Sequence, residues 1–153
     1  NKGTVAEDLL AKARLIVLGH TDPNIGLLRT DAPTTTALAV MLICILAVSF
    51  DWYGEVFDIS GAFLTGLDLD REVYVRAPKD GLPATDGVKA IPPYAVLRLI
   101  KAVYGLQEAP RLWYLQLRRI LIAVGFKELK CARAVFVLYE NGALVAMLAV
   151  HVS

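Results

Sequence analysis

Hydrophobic positions fall into runs with distinct periods along the chain, and the periods predict the elements. Residues 13–18 (ARLIVL) are apolar with a β-branched centre and predict a strand, stopped by Gly19. Residues 20–33 are rich in Asp, Pro, Gly and Asn and predict a loop. An apolar run follows over 37–50, preceded by Thr34, Thr35 and Thr36. A threonine hydroxyl accepts from the free N–H groups of a first helical turn, so a helix is expected over 35–49. That helix is apolar nearly all round, the pattern of one buried in a core.

Residues 55–59 (EVFDI) predict a strand, and Ser60-Gly61-Ala62-Phe63 turns the chain out of it. Residues 72–76 (EVYVR) alternate and predict another strand. Prolines and glycines crowd 78–93, which is expected to be a long loop before a strand over 94–100. Over 108–124, Leu112, Leu115, Leu121 and Ile122 recur at helical spacing with Arg111, Arg118 and Arg119 between them. This is an amphipathic helix, ended by Gly125. Strands over 134–139 and 143–152 flank Asn141-Gly142, a strong hairpin signal. Helices mixed with at least one antiparallel hairpin make the fold class α+β.

Composition adds three limits. The 153 residues are 56% hydrophobic, which excludes a disordered chain and predicts apolar surface that further chain would cover. The formal net charge is +1, so bulk charge lends no support to a nucleic-acid binder, although a cleft can be positive locally. The two cysteines, Cys44 and Cys131, sit among apolar residues without CxxC spacing and read as buried free thiols in a reducing compartment. No signal peptide is expected, since no charged start precedes an apolar core. The apolar run over 37–50 is shorter than the ~18 to 20 residues that cross a bilayer. His20 and His151 share no ligand spacing with each other or with the cysteines and read as non-metal residues.

Four blocks carry specific chemistry. The first is Lys12-Ala13-Arg14-Leu15 with Gly19. The second runs from Asp58-Ile59-Ser60-Gly61-Ala62-Phe63 to Gly66, followed by Glu72-Val73-Tyr74. The third runs from Leu97 through Lys101, Tyr104-Gly105-Leu106-Gln107 and Ala109-Pro110-Arg111 to Trp113-Tyr114. The fourth is the terminal hairpin ending Val150-His151-Val152. In this order the blocks resemble the reverse transcriptases of Ty1/copia retrotransposons over nearly the whole chain from Lys12 onward. The third block is the most specific, the second moderately so, and the first alone would be weak.

The resemblance implies an RNA-directed DNA polymerase with a fingers-and-palm fold, a mostly antiparallel sheet packed on helices. It implies Mg2+ at a two-metal site, dNTP, and an RNA or DNA template with its primer. It also implies the remainder of a Pol polyprotein as partner, an intracellular setting in a cytoplasmic virus-like particle, and no membrane. Asp58 matches the first metal-binding aspartate, and Ile59 lends a backbone carbonyl to the same ion. Read without the motif, Asp58 caps the turn at Ser60-Gly61. Phe63 matches the aromatic under the sugar that excludes a 2′-hydroxyl; core packing beside Leu64 accounts for it equally well. Arg14 matches a triphosphate-holding residue, for which a guanidinium fork is suited, and Lys12 adds a point charge. A solvated strand edge explains Arg14 as well, and Lys12 better.

Tyr104 and Gly105 match a turn that packs under the nucleotide, where glycine permits close backbone approach. Gln107 matches a template contact. Lys101 and Arg111 are either phosphate contacts or part of a solvated face. Trp113 and Tyr114 read as core. The family places two adjacent aspartates after the terminal hairpin, whereas here Ser153 follows Val152. Residues 1–153 are therefore expected to be a partial domain ending at the second catalytic motif, with thumb and RNase H absent. Such a chain lacks the paired aspartates and should not polymerise DNA. The alternative is a relic that keeps the fold and binds nucleic acid weakly.

Overall fold

The computed structural model describes residues 15–152. Helix α1 is Ala37–Ser49, strand β1 Asp68–Arg76, strand β2 Val96–Lys101 and helix α2 Ala109–Ala123. The short strand β3 (Lys127–Glu128) and the hairpin strands β4 (Val135–Glu140) and β5 (Ala143–Ala149) complete the order. Single 3-10 turns occupy Gly19–Thr21 and Ala62–Thr65. Every strand pair is antiparallel. β1 and β2 form one sheet, and β3, β4 and β5 form a second in that order. Helices and antiparallel sheets are thus combined, as the α+β class requires.

The hairpin follows from its turn. Asn141 and Gly142 both take positive φ, 50° and 82°, and that pairing of angles matches the twist of the flanking strands. The register runs from Glu140↔Ala143 to Val135↔Ala149 with one irregularity after Leu138. Val135, Phe136 and Val137 are buried on β4, the central strand. Helix α2 lays its apolar stripe on this sheet. Trp113, Tyr114 and Leu121 join Ala134, Phe136 and Val150 in one cluster. A second cluster joins Val73 of β1 to Ala102, Leu106 and Ala109. Phe63 packs against both. Burying Phe136 completely is worth roughly 1.5–3 kcal/mol relative to exposure.

Four expectations need correction. First, residues 55–59 form no strand; Val56 is 100% exposed. Extended backbone becomes a strand only where a neighbour accepts and donates its hydrogen bonds, and among the described residues no strand pairs with this segment. Second, residues 15–18 are not a strand either. Val17 donates its N–H to the Tyr104 carbonyl at 2.8 Å, and its carbonyl accepts from the Gly19 N–H at 2.9 Å, which closes a local turn and builds no ladder; residues 13 and 14 lie outside the described part.

Third, α1 forms where expected, with the Thr36 hydroxyl accepting from the Ala39 N–H at 3.2 Å, but none of its residues is buried. An all-apolar sequence specifies the helix without supplying the surface that would cover it. Fourth, Cys44 and Cys131 are free but exposed, the first on the uncovered α1 and the second in the loop between β3 and β4. Among the described residues no helix is long and apolar enough to cross a membrane.

Candidate functional site

The turn after residues 55–59 is built by Gly61, whose φ of +66° opens the 3-10 turn Ala62–Thr65. The turn seats on α2. Gly66 lies so near the helix backbone that a Cβ there would stand 3.0 Å from the Trp113 nitrogen, and the Leu67 N–H donates to the Leu112 carbonyl at 3.2 Å. Ala62 and Phe63 then pack on the Trp113–Tyr114–Phe136 cluster, as does Val152 from the end of the terminal hairpin. The second and fourth sequence blocks therefore meet on one apolar cluster, although not through a shared sheet.

The end of the hairpin is also anchored to the segment before α1. The Thr35 N–H donates to the Val150 carbonyl at 3.0 Å, and the Val152 N–H donates to the Thr34 hydroxyl at 3.3 Å. Asp58 itself is exposed and pairs with no cation or donor among the described residues, and Ile59 is half exposed. Ala62 is the fourth residue after Asp58, so their Cα atoms are at most about 14 Å apart.

Phe63 packs against Tyr104 in a tilted ring pair, with centroids 5.1 Å apart and planes inclined by 51°. This joins the second block to the third. Gly105 takes a φ of +99°, and a Cβ on it would stand 1.9 Å from the Val17 carbonyl oxygen. Gly105 thus lies in close backbone contact with residues 17–19 of the chain itself. Gly19 meets the same turn, its virtual Cβ 1.9 Å from the Gly105 oxygen.

Lys101 ends β2 and donates to the Gly66 carbonyl at 2.6 Å, with Asp68 at 3.5 Å. It lines a shallow groove of about 410 Å³ with Gly66, Leu67, Asp68, Gln116 and Arg119. Arg111 faces Asp31 at 3.5 Å, and Gln107 is exposed. Trp113 and Tyr114 are core residues, as expected. Lys12 and Arg14 lie outside the described residues.

Two charged constellations escaped the sequence reading. Arg71 of β1 grips Asp22 and Glu108, both at 2.5 Å. Hydrogen bonds from Arg71, then from the Asn24 N–H, hold the Asp22 carboxyl below its usual range. Burial would lower the Arg71 value, but its bonds to Asp22 and Glu108 outweigh that and raise it. The partners lie 49 and 37 residues away, so no local spacing could signal them. The second constellation ties α2 to β3. The Tyr114 hydroxyl donates to Glu128, and Arg118 donates to Glu128 at 2.6 Å. Burial, then the Glu128 contact, pushes the Tyr114 hydroxyl up. Burial would raise Glu128, but Tyr114 and Arg118 overcome it and hold that carboxyl low.

The metal expectation can be weighed against this geometry. Two divalent ions need several hard oxygen ligands. Among the described residues no three acids, histidines or cysteines stand together, so Asp58 alone does not make a two-metal site.

A family model described as reverse transcriptase (RNA-dependent DNA polymerase) matches residues 2–152. The retrovirus-related Pol polyproteins from transposons RE2 and RE1 of Arabidopsis thaliana are 35% and 33% identical over 138 residues, 90% of this chain. The corresponding polyprotein from transposon TNT 1-94 of Nicotiana tabacum is 36% identical over 69% of this chain. The chain spans about 9% of the length of the two Arabidopsis proteins and 8% of the tobacco one. No solved structure matches it.

Proposed function

The chain belongs to the reverse transcriptase family, of the copia type, and from that premise we propose that it is the fingers-and-palm part of a polymerase within a longer Pol polyprotein. Its substrates are a dNTP and an RNA or DNA template with a primer, and the chemistry depends on a divalent metal. Thumb and RNase H belong to other parts of the polyprotein, and a cytoplasmic virus-like particle is the setting. Asp58 offers one carboxylate and Ile59 one backbone carbonyl. Phe63 stands under the sugar, where a bulky ring excludes a 2′-hydroxyl by contact alone. Arg14 and Lys12 take the triphosphate, Tyr104 and Gly105 form the turn behind it, and Gln107, Lys101 and Arg111 face the template–primer.

The observation that carries this reading is the Phe63–Tyr104 contact, which joins two sequence blocks, while Phe63 packs on the same cluster as Val152. The isolation of Asp58 favours a second reading for the chain on its own: it keeps the fold and binds duplex weakly without synthesis. Such binding is electrostatic and falls steeply with salt.

A primer-extension assay with labelled dNTP tests both readings. The isolated chain incorporates no label above a no-enzyme control, yet shifts a primed template at low salt. A longer polyprotein piece extends the primer and loses this activity on Asp58→Asn. Retention of activity in that variant would remove Asp58 from the mechanism, and incorporation by the isolated chain would refute its inactivity.

A further inference from the structure

Arg71 sits inside β1 with its side chain 17% exposed, and the carboxylates it meets are 9% (Asp22) and 8% (Glu108) exposed. Its Nη1 and Nη2 donate to the two oxygens of Asp22 at 3.2 and 2.5 Å. Its Nε and Nη2 donate to Glu108 Oε1 at 2.9 and 2.5 Å. A planar guanidinium can serve two carboxylates at fixed angles in this way; an ammonium cannot.

The two carboxylates belong to different parts. Asp22 follows the 3-10 turn Gly19–Thr21 and donates its N–H to the Gly19 carbonyl at 3.2 Å. That turn ends the arm whose Val17 N–H bonds Tyr104 and whose Gly19 is pressed on Gly105. Glu108 stands at the N-cap of α2, directly after the Tyr104–Gly105 turn. Its Oε2 is buried with no hydrogen-bond partner, so its charge leans on Arg71 and on the positive end of the helix. Arg14 precedes Val17 by three residues in the sequence.

We propose that Arg71 is a positioning residue for the nucleotide: by gripping Asp22 and Glu108 with one guanidinium, it fixes the 17–22 arm against the Tyr104–Gly105 turn and so holds that turn in the conformation that packs under the nucleotide. This rests on the assignment of Tyr104 and Gly105 to the nucleotide. Two carboxylates left facing each other without Arg71 endanger folding, so the informative variant is Asp22→Asn. It keeps the shape, removes one charge and turns an amide N–H toward the guanidinium.

Amide hydrogen exchange on the chain and on its Asp22→Asn and Arg71→Lys variants tests the clamp. In both variants the Val17 amide exchanges about tenfold faster while the amides of β4 keep their rates. Unchanged Val17 exchange, or equal acceleration in β4, overturns the proposal, because the trio would then be inert or merely part of global stability. Titration with a fluorescent dATP analogue and Mg2+ reads the positioning role, with Asp22→Asn weakening binding about tenfold. Equal affinity of wild type and Asp22→Asn, despite faster Val17 exchange, overturns that role. If the wild-type chain fails to bind the analogue, the nucleotide assignment of the Tyr104–Gly105 turn falls and the positioning role falls with it, whereas the exchange rates still decide whether the clamp exists.

Discussion

The carbonyl oxygen of Val17 occupies the space that a side chain on Gly105 would need: a Cβ built there stands 1.9 Å from it. The contact is backbone against backbone, so neither side can yield by rotating a side chain. Gly105 also holds a φ of +99°, a conformation that L residues with side chains rarely adopt.

Gly105→Ala therefore combines a clash with backbone strain, and it should cost at least about 2 kcal/mol. Urea unfolding followed by circular dichroism measures the loss. Gly142→Ala, also at positive φ but with open space around it, should cost less. Equal costs at the two positions would show that the arm does not press on the turn in solution.

Acid should weaken the fold through two carboxylates. Asp22 is held low by Arg71 and Asn24, and Glu128 is held low by Tyr114 and Arg118 against the effect of burial. A carboxyl lowered by folding stabilises above its unfolded pKa, and that contribution is lost as pH falls through the lowered value. The melting temperature should thus drop as pH is taken from about 5 toward 3, and less steeply in Asp22→Asn. Tyr114 works in the opposite sense. Its raised hydroxyl stabilises below its ordinary value of 10.0 and ceases to do so as pH climbs through the raised one. Melts across both limbs check the two signs, and an acid limb identical in wild type and variant would remove Asp22 from the account.

The uncovered face of α1 should behave as a surface. Leu38 is 66% and Val48 85% exposed. Replacing both by Gln should change stability by no more than about 0.5 kcal/mol each. The same change should lower binding of an apolar-surface dye, because contiguous exposed apolar residues are what such a dye detects. Phe136→Ala, at a position with no exposure, should by contrast cost about 3–5 kcal/mol. A large loss from the α1 pair would mean that the helix is covered in solution.

Legibility from sequence followed the range of the interaction. Helix α2 was readable because its apolar stripe and Gly125 are local, and the hairpin because Asn141-Gly142 fixes its own turn. Residues 55–59 were misread because β-branched composition states a capacity to pair, while pairing depends on a neighbour elsewhere in the chain. In α1 the apolar sequence gave the helix but not its environment. The Phe63–Tyr104 contact was not read from the sequence, since nothing local links positions 63 and 104. The Arg71 clamp was invisible for the same reason: a lone arginine in an alternating strand looks like any solvated strand residue. At the candidate site, Asp58 was singled out by the motif alone, because an exposed aspartate before a Ser-Gly turn carries no further local signal.

Phe63 touches both apolar clusters, one beneath the three-stranded sheet and one beneath β1 and β2. A ring shared in this way works as a joint. Among the described residues the two sheets share no strand, and α2 is the other element common to both clusters, with Ala109 in one and Trp113 in the other. A smaller residue in place of the phenyl therefore loosens the packing of both halves at once, so the damage of one substitution is shared rather than confined.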